Sequence, residues 1–105
     1  MTQDNQRLLS LLGLARKASL VSFGHDAAKA ALRSKQAKLC LLCRDASPRL
    51  QEEFQFLAGG AGVTLQHLAL TSFDIKAATQ YKAAVLTINN SGFAEKIVAT
   101  LNPES

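Results

Sequence analysis

The chain has 105 residues, 48% of them hydrophobic, and its 12 Lys and Arg against 8 Asp and Glu give a formal charge of +4. That length suits one core and leaves a single domain, residues 1–105, as the reading; no apolar run approaches the ~20 residues of a membrane span. The basic balance favours a polyanionic partner over an acidic one.

The segment Met1 to Arg7 lacks a basic stretch followed by a long apolar run, so a soluble cytoplasmic protein is expected. Leu8, Leu11, Leu12, Ala15 and Ala18 recur every three or four residues, with Arg7, Ser10, Gly13 and Lys17 opposite, which predicts an amphipathic helix of about four turns. Arg16 and Lys17 at its end suit a helix carboxyl terminus equally well as a contact with RNA. Leu20 to Phe23 reads as a short strand leading into Gly24, where a glycine permits a backbone angle or a close approach that a side chain forbids. A second helix follows. Asp26, Lys29 and Arg33 share its solvated face while Ala27, Ala28, Ala31 and Leu32 turn inward. Its first N–H groups lack intrahelical partners and are open to an anion.

Leu39 to Cys43 is an apolar run without alternation, as expected of a strand covered on both faces. Cys40 and Cys43 then point to opposite faces and read as buried, inert and reduced. Arg44 and Asp45 emerge at the carboxyl end of this strand, where open α/β sheets place ligands. Ser47 and Pro48 signal the start of a third helix with Leu50, Phe54, Leu57 and Ala58 inward, and the glycines at 59, 60 and 62 are expected to stop it. A phosphate loop is disfavoured there, because this cluster follows a helix and precedes a strand, Val63 to Leu68. His67 in that strand reads as half-buried and structural. Thr71 or Ser72 opens a fourth helix, with Asp74 in its first turn and Ile75, Ala78 and Tyr81 along it. Ala83 to Ile88 is the next strand. After the Asn89-Asn90 turn, Ser91 is the expected cap of a last helix with Phe93, Ala94, Ile97, Val98 and Leu101 inward, closed by Asn102-Pro103. Alternating helices and strands predict an α/β fold, a three-layer α/β/α sandwich with a largely parallel or mixed four-stranded sheet.

Several stretches together carry a resemblance. Gly-His-Asp-Ala-Ala-Lys (24–29), Gln-Ala-Lys-Leu (36–39), an apolar strand and Arg-Asp-Ala-Ser-Pro (44–48) are flanked by Leu-Leu-Gly-Leu-Ala-Arg-Lys-Ala (11–18) and Ile-Asn-Asn-Ser-Gly-Phe-Ala-Glu-Lys-Ile (88–97). In this order they resemble the L-seven-Ae / L-thirty-e family of ribosomal proteins that bind kinked RNA, most of all its short bacterial YlxQ-type branch. The resemblance implies the same α/β/α fold, with a mixed four-stranded sheet, and an RNA grip formed by Gly24 to Lys29 together with Gln80 to Lys82. Within that grip, glycine and free amides approach a phosphate or base edge, and His25 donates or stacks. Lys29 and Arg33 attract phosphate, and Tyr81 offers a stacking face or its hydroxyl. The RNA-binding set is therefore Gly24, His25, Asp26, Lys29, Arg33, Arg44, Gln80, Tyr81 and Lys82.

The sequence departs from the family's pattern in the loop. Kink-turn binders follow the loop glycine with Asn-Glu at the second and third positions and Lys at the sixth; here these are Asp26, Ala27 and Ala30, with lysine one residue early at Lys29. The carboxylate that would accept from a guanine edge is missing unless Asp26 takes the role. The two glycines expected in the fourth helix are Lys76 and Gln80.

Catalysis finds little support. His25 and His67 are the only histidines, no Cys/His spacing suits zinc, and Asp45 has no nucleophile near it in sequence. The expected partner is structured RNA, ribosomal or otherwise kinked, without cofactor, metal, DNA or membrane. The rival reading is a protein-interaction module that has lost kink-turn recognition, with Lys29 and Arg33 only a solvated helix face. A small enzyme with a phosphate ligand at the second helix is the third. RNA affinity that falls steeply with salt separates the first from the others, and thermal stabilisation by a nucleotide points to the third.

Overall fold

A computed structural model describes residues 3–102. Its elements are α1 (Gln3–Lys17), β1 (Val21–Phe23), α2 (His25–Arg33), β2 (Leu39–Leu42), α3 (Pro48–Ala61), β3 (Leu65–His67), α4 (Ser72–Thr79), β4 (Val85–Ile88) and α5 (Ser91–Leu101). The strands form one sheet in the order β1-β4-β2-β3. β4 runs antiparallel to both β1 and β2, and β2 runs parallel to β3, so of the two arrangements left open by the alternation of elements the sheet takes the mixed one that the resemblance implies.

Side chains alternate across β2 and β4, and because both faces are apolar each face builds a core. Leu39, Leu41, Leu86 and Ile88 point to one side, where they join Leu8 and Leu12 of α1, Ile75 of α4 and Ile97 of α5. Cys40, Leu42 and Val85 point to the other, against Ala28, Ala31 and Leu32 of α2 and Phe54 and Ala58 of α3. The two cysteines are free, buried and on opposite faces. Alanine on the inward face of α2 lets that helix lie close to the sheet.

Local chemistry fixes the element ends and corrects several expectations. Ser47 caps α3 by accepting from the Leu50 N–H at 3.1 Å, with Pro48 at the first helical position. That helix runs through Gly59 and Gly60 and stops only at Gly62, whose φ of 69° is the left-handed turn that favours glycine. Val63, Thr64 and Leu68 accordingly lie outside β3. His67 ends this edge strand and is exposed, not half-buried, because β3 has a strand neighbour on one side only. Thr71 and Asp74 form a reciprocal capping box at the start of α4. Asn90, not Ser91, caps α5, its side chain accepting from the Phe93 N–H at 2.9 Å; Ser91 is already helical. Tyr81 lies beyond α4, because Gln80 takes a left-handed φ of 72° and ends the helix. Ala18 and Ala27, both expected inward, are exposed: α1 ends at Lys17, and Ala27 sits on the first turn of α2 at the edge of its apolar stripe. Pro103 lies outside the described residues. No helix among those residues is long and apolar enough to cross a membrane.

Candidate functional site

Register brings the two expected segments to one end of the sheet. Phe23, the last residue of β1, pairs with Leu86 near the start of β4, and the Gly24 N–H donates to the Val85 carbonyl at 2.9 Å. Gly24 and the start of α2 therefore stand beside residues 80–82. Arg44 comes to the same end because β2 and β4 are antiparallel, with Leu42 opposite Val85. Gly24 adopts φ 90° and ψ 172°, a region reserved almost wholly for glycine, and α2 begins with no side-chain cap. Its first N–H groups, carrying the positive end of the helix dipole, are left for another acceptor.

The side chains next to this helix start are tied together. His25 Nδ1 lies 2.9 Å from Asp26 Oδ1, and its Nε2 lies 2.9 Å from the Glu53 carboxylate on α3. Hydrogen bonds to Asp26 and then to Glu53 raise the His25 pKa above 6.5, and the protonated ring donates to both carboxylates. His25 Nε2 is equidistant from both Glu53 oxygens, and Lys29 Nζ is 3.8 Å from one of them, Oε2. The imidazole also meets the buried Phe54 ring edge-on, at 5.6 Å between centroids. Asp26 itself projects fully into solvent.

Residues 80–82 are ordered by the buried Thr79. Its hydroxyl donates to the Ile75 carbonyl at 2.7 Å and accepts from the Tyr81 N–H at 3.2 Å. Tyr81 stacks on Phe23, with centroids 4.9 Å apart and planes 15° apart, and remains half exposed. The Arg16 guanidinium stands 5.4 Å from the Tyr81 centroid, and its Nη2 is 3.5 Å from Gln80 Oε1. Lys82 Nζ sits 4.1 Å above the exposed Phe73 ring, a cation–π contact.

The remaining expected residues are placed differently. Arg44 is exposed, and its N–H holds the Leu70 carbonyl at 2.8 Å. Asp45 accepts from the Ser72 hydroxyl at 2.6 Å and the Ser72 N–H at 2.9 Å, bonds that hold its carboxyl below the usual range and fasten the strand end to α4. A carboxylate so occupied is a poor general base. Arg33 is the last residue of α2, eight residues beyond His25 and so roughly 12 Å away along the helix axis. There it borders one groove with Asp26 and Lys29 and another with Leu32, Phe56 and Gly60. Burial pushes the Cys40 and Cys43 thiols up to about 12, so neither supplies a thiolate at neutral pH. Among the described residues no three His, Cys, Asp or Glu side chains come close enough to hold a metal ion.

Sequence reasoning missed Glu53 and Phe23 and saw only half of Arg16. Glu53 is 28 positions from His25 and meets it across two helices, a contact with no periodic signature. The charge of Arg16 was visible, but its seat over Tyr81 required the packing of α1 beside α4.

The family model described as "Ribosomal protein L7Ae/L30e/S12e/Gadd45 family" matches residues 6–72, from α1 to the start of α4. No curated protein matches the sequence. Among solved structures, a protein of unknown function from Bacillus halodurans C is similar at 23% identity, covering 91% of this chain and 97% of its own, with a TM-score of 0.84. A Giardia lamblia 15.5kD RNA binding protein is similar at 14% identity, covering 98% of this chain and 88% of its own, with a TM-score of 0.77. Both likenesses are of fold.

Proposed function

The chain belongs to the ribosomal protein L7Ae/L30e/S12e/Gadd45 family, and from that premise we propose that it is a cytoplasmic, non-catalytic RNA-binding protein, ribosomal or ribosome-associated, that recognises kinked RNA by shape. Within the family its opening and closing stretches, 11–18 and 88–97, favour the short bacterial YlxQ-type branch. The observation that carries the reading is the Gly24 N–H bond to Val85, which sets the uncapped start of α2 beside the Tyr81 ring. Backbone amides and the helix dipole then meet phosphate or a base edge, while an aromatic face lies next to them for an unpaired base. Lys29 and Lys82 add phosphate attraction, and Arg44 extends the basic rim.

The test compares a kink-turn RNA with an unkinked duplex of equal length, each at two salt concentrations. Preference for the kinked RNA, with affinity that falls as salt rises, supports the reading; equal affinity for both rejects shape recognition. One observation favours a protein-interaction module instead: the Glu53 carboxylate already engages His25 and Lys29, two of the cations on which phosphate contact depends. Absence of binding to either RNA raises that module above the RNA-binding reading.

A further inference from the structure

We propose that the exposed side of α3 is a self-association surface, on which a second copy of this chain docks antiparallel about a two-fold axis, each Phe56 ring entering the groove beside the other copy's Gly60. The inference does not rest on the RNA-binding reading.

Departures from local rules cluster here. Phe56 is 80% exposed, and unlike the exposed Tyr81 and Phe73 it has no ring or cation against it among the described residues. Gly59 and Gly60 weaken a helix interior, yet a Cβ at either meets no atom within 4 Å, so nothing inside the fold requires a glycine. What their bare backbone does allow is the close approach of another chain. Lys35, just past α2, holds a left-handed φ of 64°, where a side chain strains the backbone. Such departures gather where a surface has work beyond folding.

The surface is complementary to itself. Glu52, Phe56, Gly59 and Gly60 are exposed and fall within about 100° of one another around α3, at 3.6 residues per turn. Phe56 and Gly60 border a groove of about 250 Å³, with Leu32 and Leu57 at its base and Arg33 and Lys35 on its rim. That volume lies below the roughly 300 to 1,000 Å³ of small-molecule sites and suits one aromatic side chain. The groove has two cations and no carboxylate, whereas the other flank of Phe56 carries Glu52 and Glu53 beside Arg49. Glu53 is engaged by His25 and Lys29; among the described residues Glu52, Arg33 and Lys35 have no ion-pair partner. In an antiparallel pair Phe56 reaches the other copy's groove, and Glu52, one turn before it, comes opposite the partner's Arg33 and the partner's Lys35. The two-fold axis makes each such contact twice. The buried rings supply the affinity, and the charges at the rim fix the orientation.

Sedimentation equilibrium of the full chain without RNA, from micromolar to millimolar concentration, reads the mass directly. A mass that rises with concentration from 11.2 kDa toward twice that value supports the dimer. Phe56→Ala, at an exposed position, weakens association by about 30-fold or more, the loss of a central aromatic anchor. Gly60→Ala weakens it too while raising the melting temperature, which separates the interface from the fold. Glu52→Lys and Lys35→Glu each set like charges opposite one another, and each stays monomeric. Mixed in equal amounts they restore the two-chain mass, because each new charge then faces its opposite. A mass that stays at one chain at every concentration overturns the proposal and leaves the groove to another protein or to RNA phosphate. A dimer that Phe56→Ala or the charge variants leave unchanged overturns it as well, as does failure of the mixed variants to recover.

Discussion

Leu41 lies in the middle of β2 with no exposure, in the core that α1, α4 and α5 share with the sheet. Leu41→Ala should cost about 2 to 5 kcal/mol in denaturant unfolding, the range for emptying a closely packed leucine site; a loss under about 1 kcal/mol contradicts its central position. His25 makes a different kind of statement. Its pKa is raised in the folded protein by Asp26 and Glu53, so its hydrogen bonds contribute stability in full below the unfolded value of 6.5. That contribution is lost as pH rises through the higher folded value. Melting curves of the parent and of His25→Gln, taken from about pH 6 to pH 9, should therefore converge with rising pH. Curves that diverge instead show that the imidazole is neutral in its place between the carboxylates.

At the level of elements, α3 carries two glycines that its sequence reading treats as a stop. A Cβ at Gly59 or Gly60 meets no atom within 4 Å, and both residues are helical and exposed, so Gly59→Ala and Gly60→Ala should each stabilise the protein by about 0.5 to 1 kcal/mol. Thermal unfolding checks this, and destabilisation by either shows that the helix ends earlier than Gly62. The episode indicates what is legible in a chain of this kind. Runs such as Leu39 to Leu42, apolar on both faces, declare a central strand by themselves, and Ser47-Pro48 declares a helix start. A boundary is harder to read when two suitable residues adjoin, as Asn90 and Ser91 do, because either hydroxyl or amide caps a helix and tertiary packing selects one. The candidate site was legible to the same limited degree. Gly24 and Gln80 to Lys82 could be marked as loops, while the Glu53 clasp on His25 and the Arg16 seat on Tyr81 depend on how helices distant in sequence pack together.

For the molecule as a whole, the charge pattern along α2 sets the expected salt response. Lys29→Ala and Arg33→Ala should weaken all RNAs about equally and each flatten the slope of log affinity against log salt by roughly one unit. Because Arg33 stands at the far end of α2, an unchanged slope in Arg33→Ala limits the footprint to the first turns, whereas an unchanged slope in both shows that phosphate lies elsewhere. Gly24→Val should lower affinity more than either, and should also cost about 1 to 3 kcal/mol of stability, since valine is strained at a φ of 90° even though its Cβ finds open space. The pairing of Phe23 with Leu86 has one more consequence, for the order in which the chain is made. β1 and β2 both await β4, the last strand to be synthesised, so neither has an antiparallel neighbour until residues 85–88 have emerged. Synthesis proceeds at roughly 5 to 20 residues per second, and over that interval a nascent chain exposes Gly24 without Tyr81 beside it. If Gly24 and Tyr81 grip RNA together as proposed, an incomplete chain lacks half of the site, and capture of RNA marks a closed sheet.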